Sequence, residues 1–337
     1  MARRSWLNSA VPALKLVFLG SDPIALPLLD WLTGEGARFA QVAAVFTQPD
    51  RPVGRGQKIT PNAIKQWALA RAIPVHQPEK LRAEALQTLV ALAADVSLVM
   101  AYGHILRQEF IDTPRLGTLN LHASLLPKYR GASPIQTAVA AGECETGVSL
   151  MRIVRELDAG PVADLERVPI ERTDTALEIE AKLAAACVPL LARSLPLLAE
   201  GKLEFQAQNQ PEATFCRRLV KTDGGLDFSA PASELAARIN GLFPWPACSG
   251  TVEGQTIKFG MADAIEGAGE PGMVLGCDAD GLRIGTGLGM LRIRRLQRPG
   301  GKMLPAGEFL RGAGIPPGSR FVSFPMPPLV SRAPFRA

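Results

Sequence analysis

Residues 15–20 (KLVFLG), 39–46 and 95–101 (DVSLVMA) are short apolar runs of strand length that carry almost no charge. Runs of this kind suit strands covered on both faces, because a strand with one wet face would alternate polar and apolar residues. Segments with helical spacing lie between them. Strands alternating with helices imply an α/β fold, a doubly wound and mostly parallel sheet with right-handed crossovers. The first turn, Gly20-Ser-Asp-Pro23, lacks G-x-G-x-x-G, so a dinucleotide site is not expected there.

The same rhythm predicts helices over 24–32, 63–72, 82–93 and 134–141, and strands over 74–76, 147–153 and 162–168. A long helix is expected from 174 to about 199, opened by the capping-box pair Thr175 and Glu178 and kinked at Pro189 and Pro196. Residues 47–60 read as a long loop carrying Arg51, Arg55 and Lys58. After a polar connector at 201–211, one helix (232–240) and strand candidates at 256–259, 272–275, 281–284 and 290–296 suggest a small OB-like barrel. The expected division is a loose leader at 1–13, a catalytic domain at 14–200, a linker at 201–211, a barrel domain at 212–318 and an irregular tail at 319–337. Alternation places Arg292 and Arg294 on one strand face, which suits phosphate contact and equally suits a solvated face.

With 337 residues, 47% of them hydrophobic, the chain can build two cores, and its formal charge of +5 is compatible with a polyanionic partner. Five scattered cysteines with no C-x-x-C spacing argue against a disulfide framework, and with only three histidines they also argue against a metal site. A reducing compartment fits best, so a cytoplasmic protein is expected. No uncharged apolar run reaches the ~18 residues of a membrane helix. No membrane or obligate protein partner is expected, and a monomer fits the sequence.

Polar side chains of catalytic type concentrate in residues 117–131. Strand alternation sends Asn120 and His122 to one face, where an amide can donate to a carbonyl oxygen while an imidazole moves a proton. Alone, such a pair also reads as a core histidine beside a strand-end Asn. It is followed by Ser124-Leu-Leu-Pro127 and Arg130-Gly131, and farther on by Asp158, a carboxylate on a turn.

Assembled, Asn120-Leu-His122-Ala-Ser124-Leu-Leu-Pro127-Lys-Tyr-Arg130-Gly131 and Leu157-Asp158-Ala-Gly160 resemble the core motifs of the folate-dependent formyltransferases. The loop TQPDRPVGRG (47–56), Gln77-Pro-Glu-Lys80, Ala101-Tyr-Gly103 and Phe243-Pro-Trp-Pro246 are similar to features of the members that act on charged tRNA. The resemblance implies catalysis by Asn120, His122 and Asp158, with Ser124, Leu125, Leu126 and Pro127 holding the folate. It further implies 10-formyltetrahydrofolate as donor and methionyl initiator tRNA as acceptor, with the Arg51, Arg55 and Lys58 loop and the barrel gripping the RNA; Arg292 and Arg294 are the candidates for that contact on the barrel. Thr214-Phe-Cys-Arg-Arg218 stands where the family has Tyr-Ala-x-Lys, and Arg107 and Pro189 are further departures. The rival readings are another amine acceptor, a formyltetrahydrofolate hydrolase, and an idle RNA-binding protein on the same scaffold.

Overall fold

The computed structural model describes residues 12–335 except 55, 279 and 313. The chain divides into two compact units. One holds the residues up to His122 with Val148–Glu166 and Ala184–Gln208; the other holds Ala123–Gly147, Arg167–Leu183 and the residues from Asn209 onward.

The first unit is built on strands β1 (Leu14–Gly20), β2 (Ala40–Phe46), β5 (Val75–His76), β6 (Val96–Met100), β7 (Thr118–His122), β9 (Glu145–Arg152) and β10 (Val162–Pro169). Between β2 and β5 lie β3 (Arg51–Val53) and β4 (Lys58–Thr60), and β8 (Arg130–Gly131) follows β7. The seven-stranded order is β10-β9-β7-β6-β1-β2-β5. β1 pairs in parallel with both β2 and β6, β6 with β7, and β2 with β5, while β9 runs antiparallel to β7. As the uninterrupted apolar runs require, β1 and β6 are buried on both faces. Val17 and Leu19 pack with Phe46, Leu89, Val99 and Phe110 on one side of the sheet, and each such side chain contributes about 1.5–3 kcal/mol on burial.

Helices α1 (Leu26–Thr33), α2 (Ala63–Leu69), α3 (Ala83–Ala91) and α4 (Gln108–Asp112) fall within this unit. The α2 start is set by Asn62, whose side chain accepts from the Lys65 amide at 2.9 Å. α5 (Pro134–Ala140) opens with proline, where a missing N–H costs nothing. α6 (Ala176–Ala199) begins as expected, with the Glu178 carboxylate accepting from the Thr175 amide at 2.9 Å. It then runs as one helix through Pro189 and Pro196. By length and composition α6 could cross a membrane, yet half of its most apolar window is buried in the protein. Its buried stripe, Ile179, Leu183, Cys187, Leu190, Leu191, Leu195 and Leu198, has the spacing of a core helix.

Residues 47–60 differ from expectation. They form an antiparallel ribbon, β3 against β4, with Arg51 opposite Thr60 and Val53 opposite Lys58. Proline and glycine content made this segment read as loop, but Pro52 sits in an isolated two-stranded ribbon, where a lost ladder donor is tolerated.

In the second unit, β11 (Phe215–Cys216) leads to α7 (Ala232–Leu242) and a curled antiparallel sheet. Its strands are β12 (Cys248–Val252), β13 (Gln255–Ile265), β14 (Val274–Cys277), β15 (Leu282–Gly285) and β16 (Met290–Gln297), in the order β12-β13-β16-β15-β14, with β17 (Leu304–Pro305) beside β16. Helix α8 (Ala306–Gly312) follows. Bridges Thr251 to Val322 and Met273 to Arg320 draw one segment across both edge strands and bring the sheet toward closure. That segment also inserts Phe321, 2% exposed, against Phe228 and Phe259. Finally β18 (Val330–Ser331) pairs with β11, which pairs with β8, so the end of the chain shares a sheet with Arg130 and Gly131.

Candidate active site

β7 is a central strand whose backbone is fixed on both sides, by β6 at Val99–Asn120 and by β9 at Asn120–Met151 and His122–Ser149. Period two puts Asn120 and His122 on one face. The Asn120 side chain is partly exposed and makes no hydrogen bond among the described residues, so its two N–H donors remain for a ligand. His122 is 6% exposed. Its Nδ1 lies 3.8 Å from Asp158 Oδ2, within ion-pair range and longer than a hydrogen bond.

Asp158 sits on the turn joining β9 to β10, in the left-handed region at φ +49. Two residues on, a Cβ at Gly160 would stand 1.9 Å from the Arg152 carbonyl, so only glycine fits that approach. The carboxylate is thus carried by a turn whose shape its own sequence restricts.

Ser124 is fully buried, and its hydroxyl donates to the Lys128 carbonyl at 2.7 Å, closing the turn that contains Leu125, Leu126 and Pro127. The Lys128 amide donates to the Leu125 carbonyl at 3.1 Å, and the Thr214 amide to that of Pro127 at 3.3 Å. Ser124 therefore shapes this turn. Arg130, 3% exposed, donates to Gln210 at 2.9 Å and stacks on Phe215, so it braces the same region from within the second unit.

The basic residues fall into two groups. Arg51 and Lys58 are exposed, and the ribbon register places them on a common face; Arg55 lies outside the described residues. Arg292 and Arg294 do share a face, as expected, but both are engaged by the 2%-exposed carboxylate of Asp263. Arg292 donates through Nε and Nη2 at 3.0 and 2.7 Å, and Arg294 through the same atoms at 2.9 and 3.2 Å. The register sets Asp263 directly opposite Arg292, and both arginines stay partly exposed while they hold it. Arg217, in the stretch departing from the family pattern, likewise holds buried Asp223, at 2.9 and 2.6 Å.

Sequence reasoning missed the root of the ribbon. Gln77 Nε2 donates to the Gln48 carbonyl and to Asp50 Oδ1, both at 2.8 Å, and Lys65 Nζ donates to Asp50 Oδ2 at 2.7 Å. Hydrogen bonds from Gln77 and Lys65 hold the Asp50 carboxyl below its ordinary range. The only advance sign was Gln77-Pro-Glu-Lys80, whose partners lie 27 to 29 residues upstream. An open cavity of about 680 Å³ beside it, lined by His76, Gln77, Lys80, Arg82 and Glu84 among others, includes none of the trio. Among the described residues no cluster of His, Cys, Asp or Glu could hold a metal ion.

A Rossmann-like, mostly parallel sheet with an amide and an imidazole on one face of β7 and a carboxylate 3.8 Å from that imidazole, followed by a curled antiparallel sheet, defines a two-part α/β protein. The formyl transferase family model matches residues 14–195, and the model of the formyl transferase C-terminal domain matches residues 218–314. A methionyl-tRNA formyltransferase of Ectopseudomonas mendocina is 44% identical over 293 residues, covering 87% of this chain and 92% of the relative. That of Methylobacillus flagellatus is 40% identical over 312 residues, 92% of this chain and 100% of the relative. Among solved structures, an N-formyltransferase from Helicobacter canadensis in complex with folinic acid and dTDP-3-aminofucose superposes with a TM-score of 0.65. It has 19% identity and covers 83% of this chain and 99% of that one. The chain belongs to the formyl transferase family.

Proposed function

We propose that this enzyme transfers the formyl group of 10-formyltetrahydrofolate to the amino group of methionyl initiator tRNA, a step of translation initiation. The observation that carries the reading is the 44% identity to a methionyl-tRNA formyltransferase across 92% of that protein. The strand-face site supports it chemically.

The amine attacks the formyl carbon, negative charge builds on the formyl oxygen, and the groups that matter are those that bind that oxygen better in the transition state. The Asn120 amide supplies donors for it. His122 has Nδ1 3.8 Å from Asp158, and in this reading its Nε2 donates to the oxyanion and passes a proton to the departing folate nitrogen. Asp158 orients the imidazole. The balance closes when the amine nitrogen loses one proton and the folate nitrogen gains one. The turn at Ser124, Leu125, Leu126 and Pro127 holds the folate, and the ribbon face of Arg51 and Lys58, with Arg55, contacts RNA phosphates.

Purified protein incubated with 10-formyltetrahydrofolate should formylate charged initiator tRNA, read as formylmethionine after deacylation. Formylation only of glycinamide ribonucleotide or an amino sugar, or release of formate without an acceptor, would overturn this reading.

A further inference from the structure

The connector between the two family-model matches contains a buried amide aimed at the catalytic turn. Gln208 is 8% exposed, and its Nε2 donates to two main-chain oxygens, those of Asp158 at 2.8 Å and Gly160 at 2.7 Å. A glutamine amide has two N–H donors, and here both are spent on the three-residue turn that carries the carboxylate. Around it, the connector forms one isolated antiparallel bridge to the start of β10. Gln206 and Val162 exchange amide-to-carbonyl bonds at 2.8 Å each way, and the Phe205 ring lies 4.1 Å from the Arg152 guanidinium. The clamp also suits the φ of +49 at Asp158, a left-handed conformation uncommon among non-glycine residues and tolerated better by aspartate than by most.

We propose that Gln208 is a positioning residue for Asp158, fixing through the Asp158 and Gly160 carbonyls the separation between the carboxylate and His122. The inference rests on the reading of Asp158 and His122 as partners in formyl transfer. That separation is 3.8 Å, so a shift of about 1 Å either makes a hydrogen bond or loses the interaction, and misplacements of that size cost up to ~100-fold in rate. In this scheme Gln208 acts through the turn.

The test is a four-enzyme cycle of wild type, Gln208→Met, Asp158→Asn and the double variant, with steady-state kinetics for both substrates and thermal midpoints. Methionine keeps the length and removes both donors. Gln208→Met is expected to lower kcat about 10- to 100-fold while leaving both KM values within about twofold. The double variant should be no slower than Asp158→Asn within about threefold, since both changes act on one element. Gln208→Glu, which faces two carbonyls with acceptors alone, should be at least as slow as Gln208→Met. If Asp158→Asn is slow while Gln208→Met turns over normally, or if the losses multiply in the double variant, the positioning role falls. Full turnover by Asp158→Asn would instead overturn the catalytic reading beneath it. Should Gln208→Met fold poorly, the same comparison is made with Gln208→Glu against Asp158→Asn.

Discussion

At the scale of single residues, the Asn120 and His122 side chains project from a strand held on both edges, so under the proposed mechanism their removal is expected to perturb chemistry more than fold. Loss of an oxyanion donor costs roughly 100- to 1,000-fold in kcat. Asn120→Ala and His122→Ala are each expected to fall in that range in single-turnover formylation, with circular dichroism unchanged. Near-normal turnover in a folded variant would remove that residue from the mechanism. A strand's period of two made the shared face of this pair readable in advance, and the resemblance of Leu157-Asp158-Ala-Gly160 to a family motif named the carboxylate. What stayed hidden was Gln208, since its partners are backbone oxygens 50 and 48 residues upstream and no local pattern records them.

At the scale of elements, the strand and helix alternation of the first unit was legible because continuous apolar runs have few other uses. Elements with weaker patterns were not. β12, Cys-Ser-Gly-Thr-Val, is too small and mixed to register as a strand, and α8 has glycine in its first turn and at its end. The β3 and β4 ribbon has the composition of a loop, yet its register supplies a prediction that a loop could not. Arg51 and Lys58 share a face, and their common root runs through Asp50 to Gln77 and Lys65. Arg51→Ala and Lys58→Ala should each raise KM for the charged tRNA and reduce the salt slope of RNA binding by about one, as loss of one phosphate contact does, with KM for the folate unchanged. Titrating tRNA affinity at several salt concentrations checks this; unaltered slopes would mean that the ribbon does not touch phosphate.

At the scale of the whole chain, two buried carboxylates tie distant parts of the second unit together and set its response to acid. Burial pushes the Asp223 carboxyl up, but hydrogen bonds from Arg217 and the Val220 amide, with the Arg238 charge, outweigh it and hold the group below the ordinary carboxylate range. Burial likewise pushes Asp263 up, and Arg292 and Arg294 outweigh it and hold the group below the ordinary carboxylate range. The unfolded chain therefore takes up these protons first. The stabilisation is fully present above the unfolded value of about 4 and is lost as pH falls through the lower folded values. Urea midpoints should accordingly hold steady from pH 7 to about 5 and drop below it. Asp263→Asn removes the buried carboxylate that Arg292 and Arg294 share, and since both guanidinium groups reach solvent and Arg292 keeps Asp280, it should cost about 1–3 kcal/mol at pH 7, the scale for depriving buried polar groups of their partner. The same variant should show a shallower decline between pH 5 and 3, because one of the proton-linked groups is gone. An equally steep acid limb in Asp263→Asn would show that other carboxylates govern acid unfolding, whereas a neutral-pH loss below about 1 kcal/mol would mean that solvent replaces the clamp.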